Sequence, residues 1–222
     1  MDKKRIIDQT VDFVKSHMSG ETSGHDWFHI ERVWKMTCHI AEKEKADMFV
    51  VELAALLHDI ADWKFAAGDE TAGPRKAKEW LGKLGADRKT IEHVCDIIAN
   101  VSFKGAGVKT KMKTIEGMCV QDADRLDALG AIGIARVFAT GSHMGLPIYD
   151  PSIKPTMHKT FEDYKKVVLN IDKGRGTSVN HFYEKLLLLK DRMNTKTAKQ
   201  IAEKRHKFME YYLKRFFEEW EI

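Results

Sequence analysis

The chain has 222 residues, of which 43% are hydrophobic and 32% charged, so it can bury a sizeable core without disulfides or a structural metal. Its three cysteines lie far apart and form no CxxC motif, which excludes a disulfide framework and predicts reduced thiols. The net charge of +4 is not gathered into a basic stripe interleaved with aromatic residues, which argues against nucleic-acid binding.

The N-terminal residues carry no signal-peptide core, and no apolar run approaches the roughly 18 residues of a membrane span. We therefore expect a cytoplasmic protein that does not bind membranes.

Apolar residues recur at helical spacing along most of the chain, and no segment alternates as a strand does. Loops are expected at 68–73, at 105–107 and over 141–155, the last long enough to suggest a role above an active site. Helices are predicted, in chain order, over 7–18, 30–41, 47–58, 74–84, 91–98, 114–140, 161–171, 178–190 and 195–220. The pattern predicts a single all-α domain.

Two titratable residues, His58 and Asp59, close an otherwise apolar helix that ends with Ala55, Leu56 and Leu57. A buried imidazole beside a buried carboxylate is costly unless both are satisfied, and a metal ion can satisfy both. Adjacent residues on a regular helix point about 100° apart, so this pair can reach one ion only near a helix end.

Asp124 also lies in an apolar helical setting, and His29 stands one turn before Val33. Two imidazoles and two carboxylates form a mixed nitrogen and oxygen site, which suits Mn²⁺, Fe²⁺, Co²⁺, Ni²⁺ or Zn²⁺ better than Mg²⁺ or Ca²⁺. From spacing alone, the same residues could equally be capped and salt-bridged helix ends.

Three local strings carry a resemblance: GHDWFHIERV at 24–33, LLHDIADWK at 56–64 and VQDADRLDA at 120–128. They resemble the HD superfamily, and within it a bacterial subgroup of metal-dependent hydrolases of deoxynucleoside triphosphates. The likeness continues through 130–136 and from 178–185 to the C-terminus.

The resemblance implies one HD domain over 1–222, with a metal-binding core of about 20–140 and C-terminal helices 156–220 packed on it. It implies that His29, His58, Asp59 and Asp124 bind one divalent ion, with Mn²⁺ expected and Mg²⁺ also open. The implied reaction converts a nucleoside triphosphate to a monophosphate and pyrophosphate through a metal-activated water.

Asp62 is the candidate to hold or deprotonate the attacking water. Asp59 is also a candidate catalytic residue, because it is expected to bind the metal ion. Some HD enzymes have Glu at the position of Asp62, and the shorter carboxylate departs from that pattern. The alternative to a catalytic role is that Asp62 is an exposed charge at the end of a helix. Candidates for substrate binding are Arg32, Lys64, Arg125, His181 and Lys185, and any of the first three could instead form a structural ion pair. Candidates to support the ligands are His25, Asp26 and Asp122.

His93 is the only histidine between Asp59 and Asp124 in the sequence. HD phosphodiesterases with two metals need additional histidines in this interval, so a single metal is favoured. The alternatives are a phosphodiesterase or phosphomonoesterase acting on other nucleotides, and a non-catalytic metal- or nucleotide-binding sensor. A small-molecule nucleotide is the expected partner, and both a monomer and a homodimer remain open.

Overall fold

The computed structural model describes residues 2–18, 26–61, 63, 66, 68–169 and 176–221. Within these ranges the chain is helical and contains no strand, so the predicted all-α class is confirmed. The helices are α1 (Lys3–His17), α2 (Trp27–Glu44), α3 (Met48–Leu57), α4 (Ala72–Lys83), α5 (Arg88–Val101), α6 (Ile115–Asp127), α7 (Gly130–His143), α8 (Phe161–Val168), α9 (Ser178–Glu184) and α10 (Lys196–Trp220).

Most helices begin at an aspartate or threonine whose side chain accepts a hydrogen bond from a backbone N–H of the first turn. Such a cap satisfies a donor that has no partner inside the helix and contributes about 1 kcal/mol. The capping residues are Asp2, Asp26, Asp47, Asp87, Thr114, Thr160, Thr177 and Thr195.

Helix α2 packs along both α3 and α6, and α5 also packs against α3 and α6. The core is dense at α3, where eight of the ten residues are buried, including Leu53, Leu56 and Leu57. Helix α10 packs on α6, α7 and α2, so the C-terminal part of the chain closes over the helices that carry the predicted metal ligands.

Two predicted elements were wrong in extent. The region 114–140 consists of two helices, α6 and α7, because the chain turns at Gly130, whose φ of +74° glycine adopts without strain. The helix predicted over 178–190 ends at Glu184, and two 3₁₀ turns, Leu186–Leu188 and Lys190–Arg192, follow it.

Candidate metal centre and adjoining cavity

The local sequence places the two histidines at helix ends. His29 lies in the first turn of α2, where its backbone N–H donates to the capping Asp26 carboxylate at 2.9 Å. His58 directly follows the last residue of α3, and Asp59 lies in the turn beyond it. Because the helix ends there, neighbouring side chains can face one point, as the spacing requires.

Both imidazoles are buried, and their Nε2 atoms face each other at 3.3 Å. His58 Nδ1 is 2.7 Å from the Ala55 carbonyl oxygen, which can only accept, so Nδ1 carries the proton. His29 Nδ1 is 2.7 Å from an Asp127 carboxylate oxygen and is protonated for the same reason. In the neutral imidazoles both Nε2 atoms therefore carry lone pairs that face each other, and a cation or a proton between them would satisfy both.

Two carboxylates complete this arrangement. Asp59 Oδ2 lies 3.4 Å from His29 Nε2 and 3.7 Å from His58 Nε2. Asp124 Oδ1 lies 3.7 Å and 3.8 Å from the same two nitrogens. Donor atoms of His29, His58 and Asp59 lie within 4.8 Å of one another, as a metal-binding cluster requires. The donor set fits a divalent ion that accepts both imidazole and carboxylate.

The cluster raises the pKa of His29. Burial acts to lower that pKa, but the hydrogen bonds to Asp127 and Asp59 outweigh burial. The carboxylates thus favour a positive charge at this point, which a bound metal supplies in place of the proton.

Sequence reasoning missed Asp127, which is buried and lies at the centre of an ionic network. Its carboxylate accepts from His29 Nδ1, from Arg32 Nε at 2.7 Å and Nη2 at 3.0 Å, and from Arg136 Nη1 at 2.9 Å. Burial acts to raise the pKa of Asp127, but the bonds from His29 and Arg32 outweigh it and hold the pKa well below its usual range. The available signal was its position three residues after Asp124, which places both on one face of α6.

Two of the residues predicted to support the ligands, Asp26 and Asp122, have other contacts in the structure. Asp26 contacts the backbone of His29, while the His29 ring is held by Asp127. Asp122 is fully buried and accepts hydrogen bonds from Asn194 and Thr195 at the start of α10.

Two of the predicted substrate-binding arginines also form structural contacts. Arg32 is engaged in the bidentate pair with Asp127. Arg125 donates to the Arg192 carbonyl oxygen and to Thr110 Oγ1, although part of its side chain still reaches a cavity wall. Burial lowers the pKa of Arg125 to about 10, so it stays charged at neutral pH.

A cavity of about 350 Å³ opens beside Asp59 and Asp124. His181 and Lys185, which were predicted to contact substrate, lie in its wall together with Arg125 and Arg136. The remainder of the wall is largely apolar and includes Val101, Phe103, Val137, Met144, Leu146, Val167, Val168 and Leu189. The wall thus combines charged residues with the proposed metal donors, and its largely apolar remainder suits an apolar ring.

The predictions for His25, Asp62 and Lys64 fall outside the described residues. Among the described residues, His93 lies away from the cluster and faces Thr114 Oγ1 at 2.9 Å and Glu116.

Comparison with known proteins places this geometry in a family. The model of the HD domain matches residues 27–129, a range that includes His29, His58, Asp59 and Asp124. An HD-superfamily hydrolase from Bacillus thuringiensis is 45% identical, with a TM-score of 0.73, and the match covers 99% of this chain and 98% of that chain. The chain belongs to the HD superfamily.

A second relative is YpgQ of Bacillus subtilis, which is 38% identical over 210 residues, covering 94% of this chain and 91% of that protein. The crystal structure of YpgQ in complex with ADP has a TM-score of 0.75 to this chain and covers 99% of this chain and 97% of that chain. The chain described in this structure is accordingly an HD-superfamily hydrolase, and it has a His-His-Asp cluster of the kind that binds a divalent metal. None of the described helices is long and apolar enough to cross a membrane.

Proposed function

We propose that this HD-superfamily protein hydrolyses nucleoside triphosphates, with deoxynucleotides preferred, to a monophosphate and pyrophosphate. The observation that carries the proposal is the metal-donor cluster opening into a cavity whose charged residues, apart from the proposed ligands Asp59 and Asp124, are mostly cationic. Binding of ADP by the relative YpgQ supports a nucleotide as the ligand.

The proposed ligands are His29, His58, Asp59 and Asp124. A divalent ion held by these residues would supply Lewis acidity toward a phosphoryl oxygen and a water of lowered pKa. Manganese is the proposed ion, since imidazole and carboxylate together suit it.

The charges around the cavity favour a polyanion. Arg125, Arg136 and Lys185 line it, and among the described lining residues only Glu184 is a carboxylate outside the proposed ligand set. Once a divalent ion offsets Asp59 and Asp124, the cavity has a net positive charge that attracts phosphate groups.

The protein's own residues would then divide the work. Ala55 and Asp127 fix the tautomers of His58 and His29, so that both Nε2 atoms stay unprotonated and available to bind the metal. Lys185 and His181 would hold phosphate oxygens, and the apolar wall would receive the base and exclude water from it. Asp62 remains the proposed residue that positions the attacking water.

The test is an assay of the purified protein against all eight common ribo- and deoxyribonucleoside triphosphates with Mn²⁺, Co²⁺, Ni²⁺ or Mg²⁺. Monophosphate, pyrophosphate, triphosphate and orthophosphate are resolved, and Asp59→Ala is the control. Monophosphate plus pyrophosphate, absent in the control, is the expected result and places the scissile bond between the α- and β-phosphorus atoms.

Release of triphosphate or orthophosphate would place the scissile bond elsewhere and reject the pyrophosphohydrolase assignment. A protein that binds metal and nucleotide without any product would be a sensor, and the proposed function would be wrong.

A further inference from the structure

Arg136 contacts both the ionic network around Asp127 and the cavity. It lies on the face of α7 that lines the cavity, along with Gly133, Val137 and Thr140. Its Nη1 donates to the Asp127 oxygen that also accepts from His29 Nδ1. A single carboxylate oxygen therefore separates this guanidinium from the ring of a proposed metal ligand.

The guanidinium has hydrogen-bonding capacity left after this contact. Arg136 Nε is buried and has no acceptor among the residues that the structure describes. Its side chain is 18% exposed, and the cavity wall to which it belongs also includes Asp59, Asp124 and Ala128. A buried N–H without an acceptor costs free energy, and a phosphate oxygen entering the cavity is an acceptor that could relieve that cost.

We propose that Arg136 is a substrate-binding residue that contacts a phosphate group of the nucleotide while its Nη1 stays on Asp127. This inference rests on the proposed function, because it assigns a residue to the phosphate end of that substrate. A guanidinium can serve both partners because its five N–H donors point in fixed, separate directions. Asp127 thereby connects the phosphate contact to His29 and holds the two at a fixed separation.

Helix α7 is held in a position that makes this contact precise. A Cβ added to Gly133 would lie 2.3 Å from the Ala128 carbonyl oxygen, so the start of α7 touches the turn that follows α6. Asp124, Asp127 and Arg136 therefore belong to two helices whose spacing is fixed by backbone contact. A tightly packed support of this kind is what a positioned phosphate-binding residue needs.

Arg32 provides a matched comparison inside the same network. It also donates to Asp127, through Nε and Nη2, but it is absent from the described residues that line the cavity. If both arginines only neutralise Asp127, their substitutions should have the same consequences. If Arg136 also binds substrate, only its substitution should weaken phosphate binding.

The experiment measures binding by titration calorimetry for Arg136→Gln, Arg136→Lys, Arg32→Gln and the unaltered protein. The probes are Mn²⁺ alone, and then inorganic pyrophosphate and ADP added to Mn²⁺-saturated protein. We expect both glutamine variants to lose Mn²⁺ affinity by a similar factor. The dissociation constants of pyrophosphate and ADP should rise at least tenfold in Arg136→Gln and less than threefold in Arg32→Gln, with Arg136→Lys between them.

Equal losses of pyrophosphate affinity in the two glutamine variants, or none in Arg136→Gln, would show that Arg136 only holds Asp127 and would overturn the inference. Absence of pyrophosphate binding by the unaltered protein would also overturn it, because a phosphate subsite must retain this probe. Thermal unfolding verifies that each variant is folded, and Arg136→Lys keeps the test informative if the glutamine variant is not. The hydrolysis assay decides the proposed function separately, since a different scissile bond leaves these binding results unchanged.

Discussion

The orientation of His29 depends on a carboxylate almost a hundred positions along the chain. Asp127 accepts from His29 Nδ1 and is itself neutralised by Arg32 and Arg136. Carboxylates that fix the ring of a ligating histidine typically contribute a factor of about 10–100 in metal affinity. Asp26, although closer in sequence, contacts only the backbone of His29 among the described interactions.

We therefore predict that Asp127→Asn lowers Mn²⁺ affinity about 10- to 100-fold, because asparagine lacks the charge that stabilises the metal-bound imidazole. Asp26→Asn should change it less than threefold, since asparagine caps a helix as well as aspartate does. Calorimetric titration of metal-free protein measures both. Similar losses in the two variants would contradict the assignment of ring orientation to Asp127.

At the level of elements, α6 contacts the metal-donor cluster and the start of α10 through different aspartates. Asp124 faces the metal cluster, whereas Asp122 accepts hydrogen bonds from the backbone and side chains of Asn194 and Thr195, where α10 begins. Burial raises the pKa of Asp122 despite these bonds. The residue is thus a structural anchor that joins the C-terminal helix to α6, the helix that carries the proposed ligand Asp124.

We predict that Asp122→Ala lowers the free energy of unfolding of the metal-free protein by about 3 kcal/mol, because it leaves several buried donors without an acceptor. Urea unfolding in the presence of a chelator measures this loss, and Asp124→Ala is the comparison, expected to cost less than half as much. A variant Asp122→Ala with unchanged stability but weaker metal binding would restore the role of supporting a ligand.

The contact between α6 and α7 makes a second prediction at this level. Gly133→Ala places a Cβ against the Ala128 carbonyl oxygen and should destabilise the protein by about 1–3 kcal/mol, since backbone must move. Gly82, in α4, has open space where its Cβ would be, so Gly82→Ala should stabilise by about 0.5 kcal/mol. Thermal denaturation compares the two, and equal effects would refute the close approach of α7.

For the whole molecule, we expect metal binding and folding to be coupled, because the proposed ligands come from α2, the end of α3 and α6, which meet only in the folded chain. Mn²⁺ at 100 times its dissociation constant should stabilise the protein by about 2.7 kcal/mol. For a chain of this length the corresponding rise in Tm is roughly 5–10 °C.

A fluorescence melt with Mn²⁺ or a chelator measures this shift. Asp59→Ala should abolish it, whereas Asp96→Asn, an exposed carboxylate outside the cluster, should preserve it. A shift of equal size in Asp59→Ala would place the stabilising metal elsewhere.

The sequence by itself determined the all-α class, most helix positions and the candidates His29, His58, Asp59 and Asp124. It could do so because helical periodicity and capping are local, and because charged residues in apolar helices stand out against their neighbours. It also marked His181 and Lys185, whose spacing of four residues puts them on one helical face.

Only the tertiary structure decided which partner each charge meets. Asp122, Asp124 and Asp127 look alike in sequence, yet α10, the metal cluster and two arginines from α2 and α7 give them three different tasks. The choice depends on which helix packs against each face of α6, and contacts between residues far apart in the chain leave no local pattern. Arg136 was missed for the same reason, since its position between Asp127 and the cavity exists only after α6 and α7 have packed.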